Sequence, residues 1–460
     1  MSKLPSGWEI ARLDELAALN PKQNFDDELT AGFVPMSHAP TNFLNKLRFD
    51  ERNWGAIKKN YTNFKDGDVI FAKVTPCFEN GKAALVEGLP NGVGAGSSEF
   101  FVLRPSSLEV SAKYILALIK SHGFMSEGAD NMTGAVGLRR VPKKFVENYV
   151  VPVPPAAEQT RIAHKLDELL AQVDTLKARI EAIPALLKRL RQSILAAAVS
   201  GRLTEEWRQD DEYIDTDLQF QIPISWKIST VGNLAEVKGG KRLPKGEVLT
   251  SEDTGYAYIR AGQLKDGTVS KSGQLFVSSH AKSQISRYIV KSGDVYITIV
   301  GACIGDAGVI PDRCNDFNLT ENAAKICDFK VPLSSNYLAA WLRSQHLQQL
   351  IQYEIKSGAQ GKLALKRIKE LPVPYPPIEE QTEIARCIEQ FFAFADQLEA
   401  KVSSAKSGIH QLTQSILAKA LRGELVPQDS NDEPASVMLK RIKAQSNAVP
   451  KAKREKKASV

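Results

Sequence analysis

Cysteine and histidine are scarce in this sequence, and neither is grouped in a way that suggests a metal site. Among 460 residues there are five cysteines, none in a CxxC pair, and six histidines, none at metal-ligand spacing from carboxylates. An odd number of cysteines without a pairing pattern is typical of a reducing compartment and argues against structural zinc. We therefore expect no metal site and no disulfide framework.

Signals for membranes and export are missing as well. No apolar run approaches the roughly 18 residues that are needed to cross a bilayer. The N-terminal residues include Pro, Gly and acidic side chains where a signal peptide requires an apolar segment. These features predict a cytoplasmic protein.

The motifs of common enzyme classes are also absent. The sequence contains no GxxxxGK(S/T) phosphate loop and no NPPY-like or DPPY-like tetrapeptide for methylating a base. GVGAGSS (residues 92–98) lacks the GxGxxG spacing, and we interpret it as a loop. These absences argue against a stand-alone nuclease or methyltransferase. We expect no catalytic residues and no cofactor-binding residues in this chain.

Positive charge is concentrated at one end of the sequence. The formal net charge is +7, and residues 440–460 alone carry eight Lys or Arg and one Glu. The remainder is balanced, so any nucleic-acid binding by it requires local basic patches. We predict that residues 427–460 form a basic, disordered tail.

An internal repeat is the most informative feature. VPVPPAAEQT (residues 151–160) matches VPYPPIEEQT (373–382), and QSILAAAVSGRL (192–203) matches QSILAKALRGEL (414–425). Shorter matches lie earlier in each half, including a tryptophan that begins each repeat. Each half is therefore predicted to contain an α/β portion of short strands, loops and helices, followed by a helical portion.

The helical portions have the spacing of a coiled coil. Apolar residues recur at alternating intervals of four and three after each EQT, over about five heptads. Each PP pair excludes helix before it, and Gly201 and Gly423 suit C-terminal caps. The residues predicted to form the core of this helical spacer are Ile162, Leu166, Leu169, Val173, Leu176, Ile180, Leu187, Ile384, Ile388, Phe391, Leu398, Val402 and Ile409.

Two alternatives remain for these helices. Pro184 lies inside the first one and must either kink it or divide it in two. The helices pair with each other, or each packs on its own neighbouring α/β portion. Extra apolar residues such as Leu170, Leu186, Phe392 and Phe394 predict that some surface beyond the heptad positions is covered.

Several repeated motifs together resemble the specificity subunit of type I restriction–modification enzymes. They are the duplicated PPxxEQ…I, the heptad helices that end in QSILAxAxxGxL, and the LPxGW opening. ASVMLKRIKAQ and the Lys-rich end are similar to the enteric subclass of that family. The resemblance covers essentially the whole chain. It implies a mixed α/β fold, with two globular target-recognition domains of small sheets, two long antiparallel coiled-coil helices between them, and an internal pseudo-twofold duplication.

The resemblance also implies a division into regions. These are target-recognition domain 1 (residues 1–150), a central conserved helical region (151–207), a linker (208–217), target-recognition domain 2 (218–371), a distal conserved helical region (372–426) and the tail (427–460). Each recognition domain would read one half of a bipartite sequence in double-stranded DNA. The helices would set the spacing and dock two modification (methyltransferase) subunits.

The same resemblance assigns the catalytic activities to partner subunits. Restriction subunits, which combine an ATP-dependent translocase and a nuclease, would join the modification subunits. ATP, Mg²⁺ and S-adenosylmethionine would be bound by these partners. The chain itself would direct methylation and restriction without catalysing either reaction.

The predicted DNA-binding residues are basic, because Arg and Lys contact guanine edges and phosphates. They are Lys73, Arg139, Arg140, Lys143 and Lys144 in the first half, and Arg260, Lys362, Lys366 and Arg367 in the second. For each of them, a solvated surface charge is the alternative. The rival function is a coiled-coil scaffold that binds only proteins. Specific, salt-sensitive DNA binding by the complex distinguishes the two functions.

Overall fold

The chain divides into two units, and each contains one α/β portion together with part of each long helix. Unit 1 comprises Met1–Glu181 and Ser403–Val460, and unit 2 comprises Ala182–Val402. This computed structural model describes residues 4–135, 137–357 and 361–448. The unit boundaries cut through the long helices because each helical half packs on the α/β portion beside it.

The α/β portion of unit 1 contains two four-stranded sheets. Its elements, up to and including the first long helix, are β1 (Glu9–Arg12), α1 (Leu13–Leu16), β2 (Ala17–Leu19), β3 (Thr30–Val34), β4 (Asp50–Asn53), α2 (Trp54–Ile57), β5 (Thr62–Lys65), β6 (Val69–Ala72), β7 (Ala83–Leu85), β8 (Val93–Gly96), β9 (Phe100–Pro105), α3 (Ala112–Ile119), α4 (His122–Asp130), β10 (Thr133–Ala135), β11 (Leu138–Arg140), α5 (Lys143–Asn148), β12 (Val150–Val153) and α6 (Ala156–Val199). The sheets have the orders β2-β9-β6-β7 and β4-β3-β8-β5, and only β3 and β8 pair in parallel. Strand β8 lies within GVGAGSS, so the interpretation of that whole stretch as a loop is wrong.

Aromatic side chains fill the core between the first of these sheets and the helices that follow. Phe71 of β6 and Phe101 of β9 pack with Tyr114 of α3 and Phe124 of α4, and all four are buried. Every residue of β6 is buried, which explains why VIFA is a continuous apolar run rather than an alternating one. This core gives the loops at the ends of β6 and β9 a rigid base.

Unit 2 has a related α/β portion. Its elements, continuing along the chain, are α7 (Glu205–Arg208), β13 (Tyr213–Ile214), β14 (Ile222–Pro223), β15 (Lys227–Thr230), α8 (Val231–Leu234), β16 (Glu236–Gly239), β17 (Ala257–Ile259), β18 (Leu264–Lys265), β19 (Thr268–Val269), β20 (Leu275–Phe276), α9 (Ser279–Gln284), β21 (Val295–Thr298), β22 (Ala307–Val309), β23 (Asn318–Leu319), β24 (Ala323–Cys327), α10 (Ser335–Arg343), α11 (Gln345–Ser357), α12 (Leu365–Glu370), β25 (Pro372–Tyr375) and α13 (Ile378–Arg422). The sheet β16-β24-β21-β22 corresponds to β2-β9-β6-β7 of unit 1.

The two long helices begin and end where the sequence predicted. Helices α6 and α13 start directly after the PP pairs, and Gly201 and Gly423 follow their last turns in the left-handed conformation (φ 74° and 72°). Helix α6 continues through Pro184, so the proline does not divide it in two. In unit 2 the helices run antiparallel: Arg191 of α6 contacts Glu399 at 2.9 Å, whereas Arg208, farther along the chain, contacts Glu380 at 2.7 Å.

Most predicted spacer residues are buried or half-buried, but two are not. Leu176 and Phe391 are 46% and 45% exposed, so the prediction that they belong to a continuous core is wrong for this chain. A heptad position is buried only where another helix or the α/β portion lies against it, so one apolar stripe can be covered at some positions and accessible at others. The buried members are Ile162, Leu166, Val173, Leu187, Ile384, Ile388 and Val402, and the half-buried ones are Leu169, Ile180, Leu398 and Ile409.

Both alternatives for helix packing hold. In unit 1, Ile162 and Leu166 of α6 and Leu417 of α13 belong to the same hydrophobic core as the α/β portion. In unit 2, Ile194 of α6 and Ile384 of α13 likewise join the core of their α/β portion. The helices therefore contact one another and also pack on the α/β portion beside them.

The repeated EQT motif places a buried carboxylate on the first turn of each long helix. Glu158 Oε2 accepts a hydrogen bond from Trp8 Nε1 at 3.0 Å, and Glu380 Oε2 accepts one from Trp226 Nε1 at 2.8 Å. Both glutamates are 1% exposed. These contacts tie the start of each α/β portion to the helix that follows it, and we call each of them a Trp–Glu clamp.

The glutamine of the motif extends each clamp. Gln159 Oε1 accepts from the backbone N–H of Ser111, and Gln381 Oε1 accepts from that of Ser334, both at 2.8 Å. The side-chain amides donate to carbonyls of the PP pairs at 3.0 and 2.9 Å. Since Ser111 and Ser334 cap α3 and α10, the glutamines connect a helix of each α/β portion to the long helix.

The two clamps differ in the second carboxylate oxygen. Glu380 Oε1 accepts from Thr204 Oγ1 at 2.8 Å and from Arg208 Nη1 at 2.7 Å. Glu158 Oε1 is buried and has no hydrogen-bond partner among the described residues. Burial raises the pKa of Glu158 above its usual range, although the Trp8 hydrogen bond opposes the shift. The first clamp therefore leaves one buried carboxyl oxygen without a partner among the described residues, whereas the second is an ion pair.

The prediction of a disordered tail from residue 427 is wrong for helix α14 (Ala435–Ala448). Its residues Ala435, Met438, Leu439 and Ile442 are buried in the core of unit 1. Their spacing is that of an amphipathic helix, and the high charge of this region obscured it. The basic KAKREKK stretch lies outside the described residues.

Residues 208–217, predicted to be a linker, make specific contacts. Arg208 is the buried partner of Glu380, and Tyr213 and Ile214 form β13, which pairs with β14. This segment is thus part of unit 2.

Replacing Glu380 with Gln should destabilise unit 2 by about 3 kcal/mol, because it leaves the buried Arg208 guanidinium without its counter-charge. The matched change Glu158→Gln should alter the stability of unit 1 by no more than about 1 kcal/mol at low pH, where Glu158 is already neutral. Chemical denaturation followed by tryptophan fluorescence measures both effects. Equal losses for the two variants would contradict the difference between the clamps.

Glu158 should also make the stability of unit 1 depend on pH. Its pKa is raised in the folded state, so its contribution to stability is present at low pH and lost as pH rises through that pKa. As pH rises from the acidic range through that pKa, the Glu158→Gln variant should lose less stability than the parent. Parallel pH profiles for the two proteins would show that the pKa of Glu158 is the same in the folded and unfolded states.

Candidate nucleic-acid interface

In unit 1, the predicted basic residues of the loop after β6 and of the β10–β11 hairpin come together. Val74 forms an isolated β-bridge with Arg140, next to Lys73. The backbone N–H of Thr75 donates to the Arg139 carbonyl at 3.0 Å, and Thr75 Oγ1 accepts from the Arg139 N–H at 3.0 Å. The hairpin is therefore anchored to the segment that directly follows the buried strand β6, although its own described residues are mostly exposed.

Each hairpin arginine faces a glutamate. Arg140 donates from Nε and Nη2 to the two carboxylate oxygens of Glu99 at 2.9 and 2.8 Å. Arg139 makes one such contact, from Nη2 to Glu79 at 3.2 Å. The hydrogen bond from Arg140 lowers the pKa of Glu99, so this carboxylate stays ionised.

The remaining basic residues of this half lie beside the hairpin. Lys73 Nζ donates to the Ser98 carbonyl at 2.8 Å. Lys143 pairs with Glu147 at 2.8 Å on α5, whereas Lys144 is exposed and forms no ion pair with any described residue. Five of the predicted residues thus belong to one short stretch of surface structure, made by the hairpin, the β6 loop and the start of α5.

Unit 2 repeats the backbone arrangement with different side chains. Lys362 forms an isolated bridge with Val300, and the Ile299 N–H donates to the Asn322 carbonyl at 2.8 Å. The segment before it includes residues 358–360, which lie outside the described residues.

The same contacts in unit 1 identify the equivalent positions. There the N–H of Lys73 donates to the Glu99 carbonyl at 2.9 Å. Lys362 therefore occupies the position of Arg140, and Asn322 occupies that of Glu99. The two halves present different chemical groups on matching frames.

Two further predicted residues lie on α12, close along the chain to Lys362. Arg367 contacts Glu354 at 3.4 Å and Glu370 at 3.2 Å. Lys366 approaches Glu370 at 4.0 Å and is largely exposed. Helix α12 is the counterpart of α5, so both halves place basic residues directly after the bridged segment.

Arg260 differs from the other predicted residues. Its Nη2 donates to the Gly273 carbonyl at 2.6 Å, and its backbone N–H donates to Gln263 Oε1 at 3.1 Å. Among the described residues, its hydrogen bonds thus go to its own loop rather than to the Lys362 segment. Its contacts are those of a residue that supports the loop after β17.

Sequence reasoning missed the acidic side chains of this surface. Glu79 and Glu99 were not considered, because a DNA interface suggests a search for positive charge only. It also missed Arg242, which is 80% exposed at its side chain and pairs with Glu321 at 2.9 Å. The GGKR stretch at residues 239–242 was the available signal.

The described residues contain neither a candidate metal site nor a helix that could span a membrane. Across the described ranges, no three His, Cys, Asp or Glu side chains are grouped closely enough to hold a metal ion. Within those same ranges, none of the helices combines the length and hydropathy that a bilayer span requires.

Comparisons with known proteins match both halves of the chain. The family model described as type I restriction modification DNA specificity domain matches twice, over residues 5–185 and 223–405. The type I restriction enzyme EcoBI specificity subunit of Escherichia coli is 38% identical over 332 residues, which are 69% of this chain and 68% of that protein. The EcoKI specificity subunit of Escherichia coli strain K12 is 29% identical over 494 residues, 99% of both chains.

Solved structures share the fold. A crystal structure of the HsdS subunit from Thermoanaerobacter tengcongensis has a TM-score of 0.63 at 21% identity, covering 92% of this chain and 98% of that one. A chain from a study of complex assembly and conformational transition of the type I R-M system has a TM-score of 0.67 at 20% identity, covering 92% and 100%.

Replacing Thr75 with Val should loosen the hairpin, because it removes the hydroxyl that accepts from the Arg139 N–H. One hydrogen bond of this kind contributes about 1 kcal/mol. Amide hydrogen exchange at Arg139 should become roughly fivefold faster, whereas Thr75→Ser should exchange like the parent. Unchanged exchange in Thr75→Val would mean that the backbone contacts hold the hairpin without the hydroxyl.

Proposed function

The chain belongs to the type I restriction modification DNA specificity domain family, and we propose that it selects the DNA sequence on which a type I restriction–modification complex acts. Each α/β portion reads one half of a bipartite site in double-stranded DNA. The chain contributes recognition, and its partners contribute catalysis.

One observation carries this proposal. The chain contains the family domain twice, each copy held to a long helix by the same Trp–Glu clamp, and the matching surface positions differ between copies. Arg140 and Glu99 in the first copy correspond to Lys362 and Asn322 in the second. A shared frame with divergent polar surfaces fits one binding task that is performed on two different targets.

The basic residues named above are proposed to contact DNA. Lys73, Arg139, Arg140, Lys143 and Lys144 form the surface of the first copy, and Lys362, Lys366 and Arg367 form that of the second. Arg260 of the second copy would contact DNA from the loop after β17. Two modules that read one face of B-DNA sit about one helical turn apart, roughly 34 Å. Paired helices suit the task of setting such a distance because they are stiff, and we propose that α6 and α13 do so.

The partners are proposed to be two modification subunits and the restriction subunits. Type I specificity subunits are components of restriction enzymes, by the names of the relatives. S-adenosylmethionine, ATP and Mg²⁺ would be bound by those partners. A pseudo-twofold frame offers two similar faces to two copies of one partner.

Exposed apolar side chains on the helices of unit 2 are candidates for docking a modification subunit. Leu186 and Leu190 of α6 are 57% and 38% exposed, and Phe391 and Phe394 of α13 are 45% and 54% exposed. Exposed apolar patches mark interaction surfaces, and phenylalanine is enriched at protein interfaces. A docking role would also explain why Phe391, at a heptad position, is exposed in this chain.

Exchanging residues 1–150 for the corresponding part of a relative should change one half of the methylated sequence and leave the other half unchanged. The reciprocal exchange of residues 218–371 should change only the other half. Sequencing of methylated DNA from cells that carry each hybrid system measures both outcomes. If a single exchange altered both halves, one domain would not correspond to one half-site.

The change Phe394→Asp, alone or with Leu186→Asp, should weaken assembly with the modification subunit by at least about tenfold, because it places a charge in an apolar contact. Leu108→Asp is the matched control, since Leu108 is fully exposed in a loop of unit 1. Titration of the purified subunits, followed by light scattering, measures the affinity. Undiminished assembly of the helix variants would place the docking surface elsewhere.

A further inference from the structure

The Arg140–Glu99 pair has the geometry of a base-reading arginine with a built-in support. Arg140 is fixed at its backbone by the bridge to Val74, and by the bond from the Val141 N–H to the Lys73 carbonyl at 2.8 Å. Its side chain is 44% exposed and that of Glu99 is 27% exposed. The guanidinium is therefore accessible to a ligand while its origin is held in place.

The two hydrogen bonds to Glu99 use one particular edge of the guanidinium. They come from Nε and Nη2, at 2.9 and 2.8 Å. A guanidinium has five N–H donors, so the pair leaves three, two of them on Nη1. The free edge between Nη1 and Nη2 is the one that can donate to O6 and N7 of guanine in the major groove.

Glu99 is itself held in position. Its backbone carbonyl accepts from the N–H of Lys73 at 2.9 Å, and its N–H donates to Ser97 Oγ at 3.2 Å. Glu99 directly precedes β9, and Phe100, the first residue of that strand, is fully buried. The carboxylate thus extends from the rigid end of a strand rather than from a mobile loop.

Pairing with Glu99 would not help Arg140 to bind a DNA phosphate. Affinity for phosphate comes from net positive charge and the counterions that it releases. A glutamate that neutralises the arginine removes that gain and adds repulsion toward the backbone of DNA. A fixed guanidinium plane, by contrast, improves a bidentate contact to a base, whose strength depends on direction.

We infer that Arg140 reads a guanine in the first half-site and that Glu99 is the positioning residue that orients it. The inference rests on the proposed function. The inference applies only to the first copy, because the second copy has Lys362 and Asn322 at these positions. Lysine lacks the planar guanidinium that can donate two parallel hydrogen bonds. Arg139 lacks the same support, since it makes only one contact with Glu79.

The test uses the complete complex with its modification subunits and a library of sites in which each half-site position is varied. Glu99→Gln should reduce discrimination at one guanine of the first half-site by about tenfold or more. The amide N–H₂ of the new side chain would face an arginine N–H and break the paired contact. Affinity for unrelated DNA should not fall, and the second half-site should be read as before.

Two further variants make the outcome decisive. Arg140→Lys should lose discrimination at the same position. Glu79→Gln, the matched control, should leave base preference unchanged and only strengthen binding to all sequences alike. Thermal unfolding of each variant checks that the hairpin surface is intact.

Several results would overturn the inference. If Glu99→Gln and Glu79→Gln behaved alike, with uniformly stronger binding and no change of preference, Glu99 would be an ordinary surface charge. If Arg140→Lys weakened binding to every sequence alike, Arg140 would be a phosphate contact. A parent complex without any sequence preference would instead refute the proposed function, and the two failures are therefore distinguishable.

Discussion

The rest of the structure depends on one interaction, the buried hydrogen bond between a tryptophan and a glutamate at the start of each long helix. Glu158 and Glu380 lie out of water, where an acidic group is costly unless hydrogen bonds compensate it. A tryptophan from the beginning of each α/β portion donates to it, and the adjacent glutamine bonds the cap of a second helix. A network of this kind holds only one geometry well, so each α/β portion is oriented on its helix.

This orientation leaves the recognition surfaces free to differ. The β-bridge of Arg140 with Val74 and that of Lys362 with Val300 repeat one backbone arrangement, and the side chains on it are unlike. Stability comes from buried groups below the surface, so exchange of exposed polar residues costs little folding free energy. A duplicated frame can therefore stay the same while the side chains on its two surfaces diverge.

Periodic and repeated features of the chain were predictable, and features that depend on non-local partners were not. The heptads predicted α6 and α13, because helix formation depends on local spacing. Leu176 and Phe391 follow the same heptads and yet are exposed, because what covers a position depends on its neighbours in space. Charge alone was misleading for the C-terminal region, because it hid the amphipathic spacing of helix α14.

The sequence by itself determined the duplication, the two long helices with their starts and caps, and the family, since each depends on motifs that are contiguous along the chain. Tertiary structure alone decided what the EQT motif does, because Trp8 and Glu158 are separated by 150 residues and meet only in the fold. It also decided which basic residues share a surface and that Glu99 orients Arg140 across 41 residues of sequence. Hydrogen bonds are directional and short, so such pairs become visible only once the backbone has placed both partners.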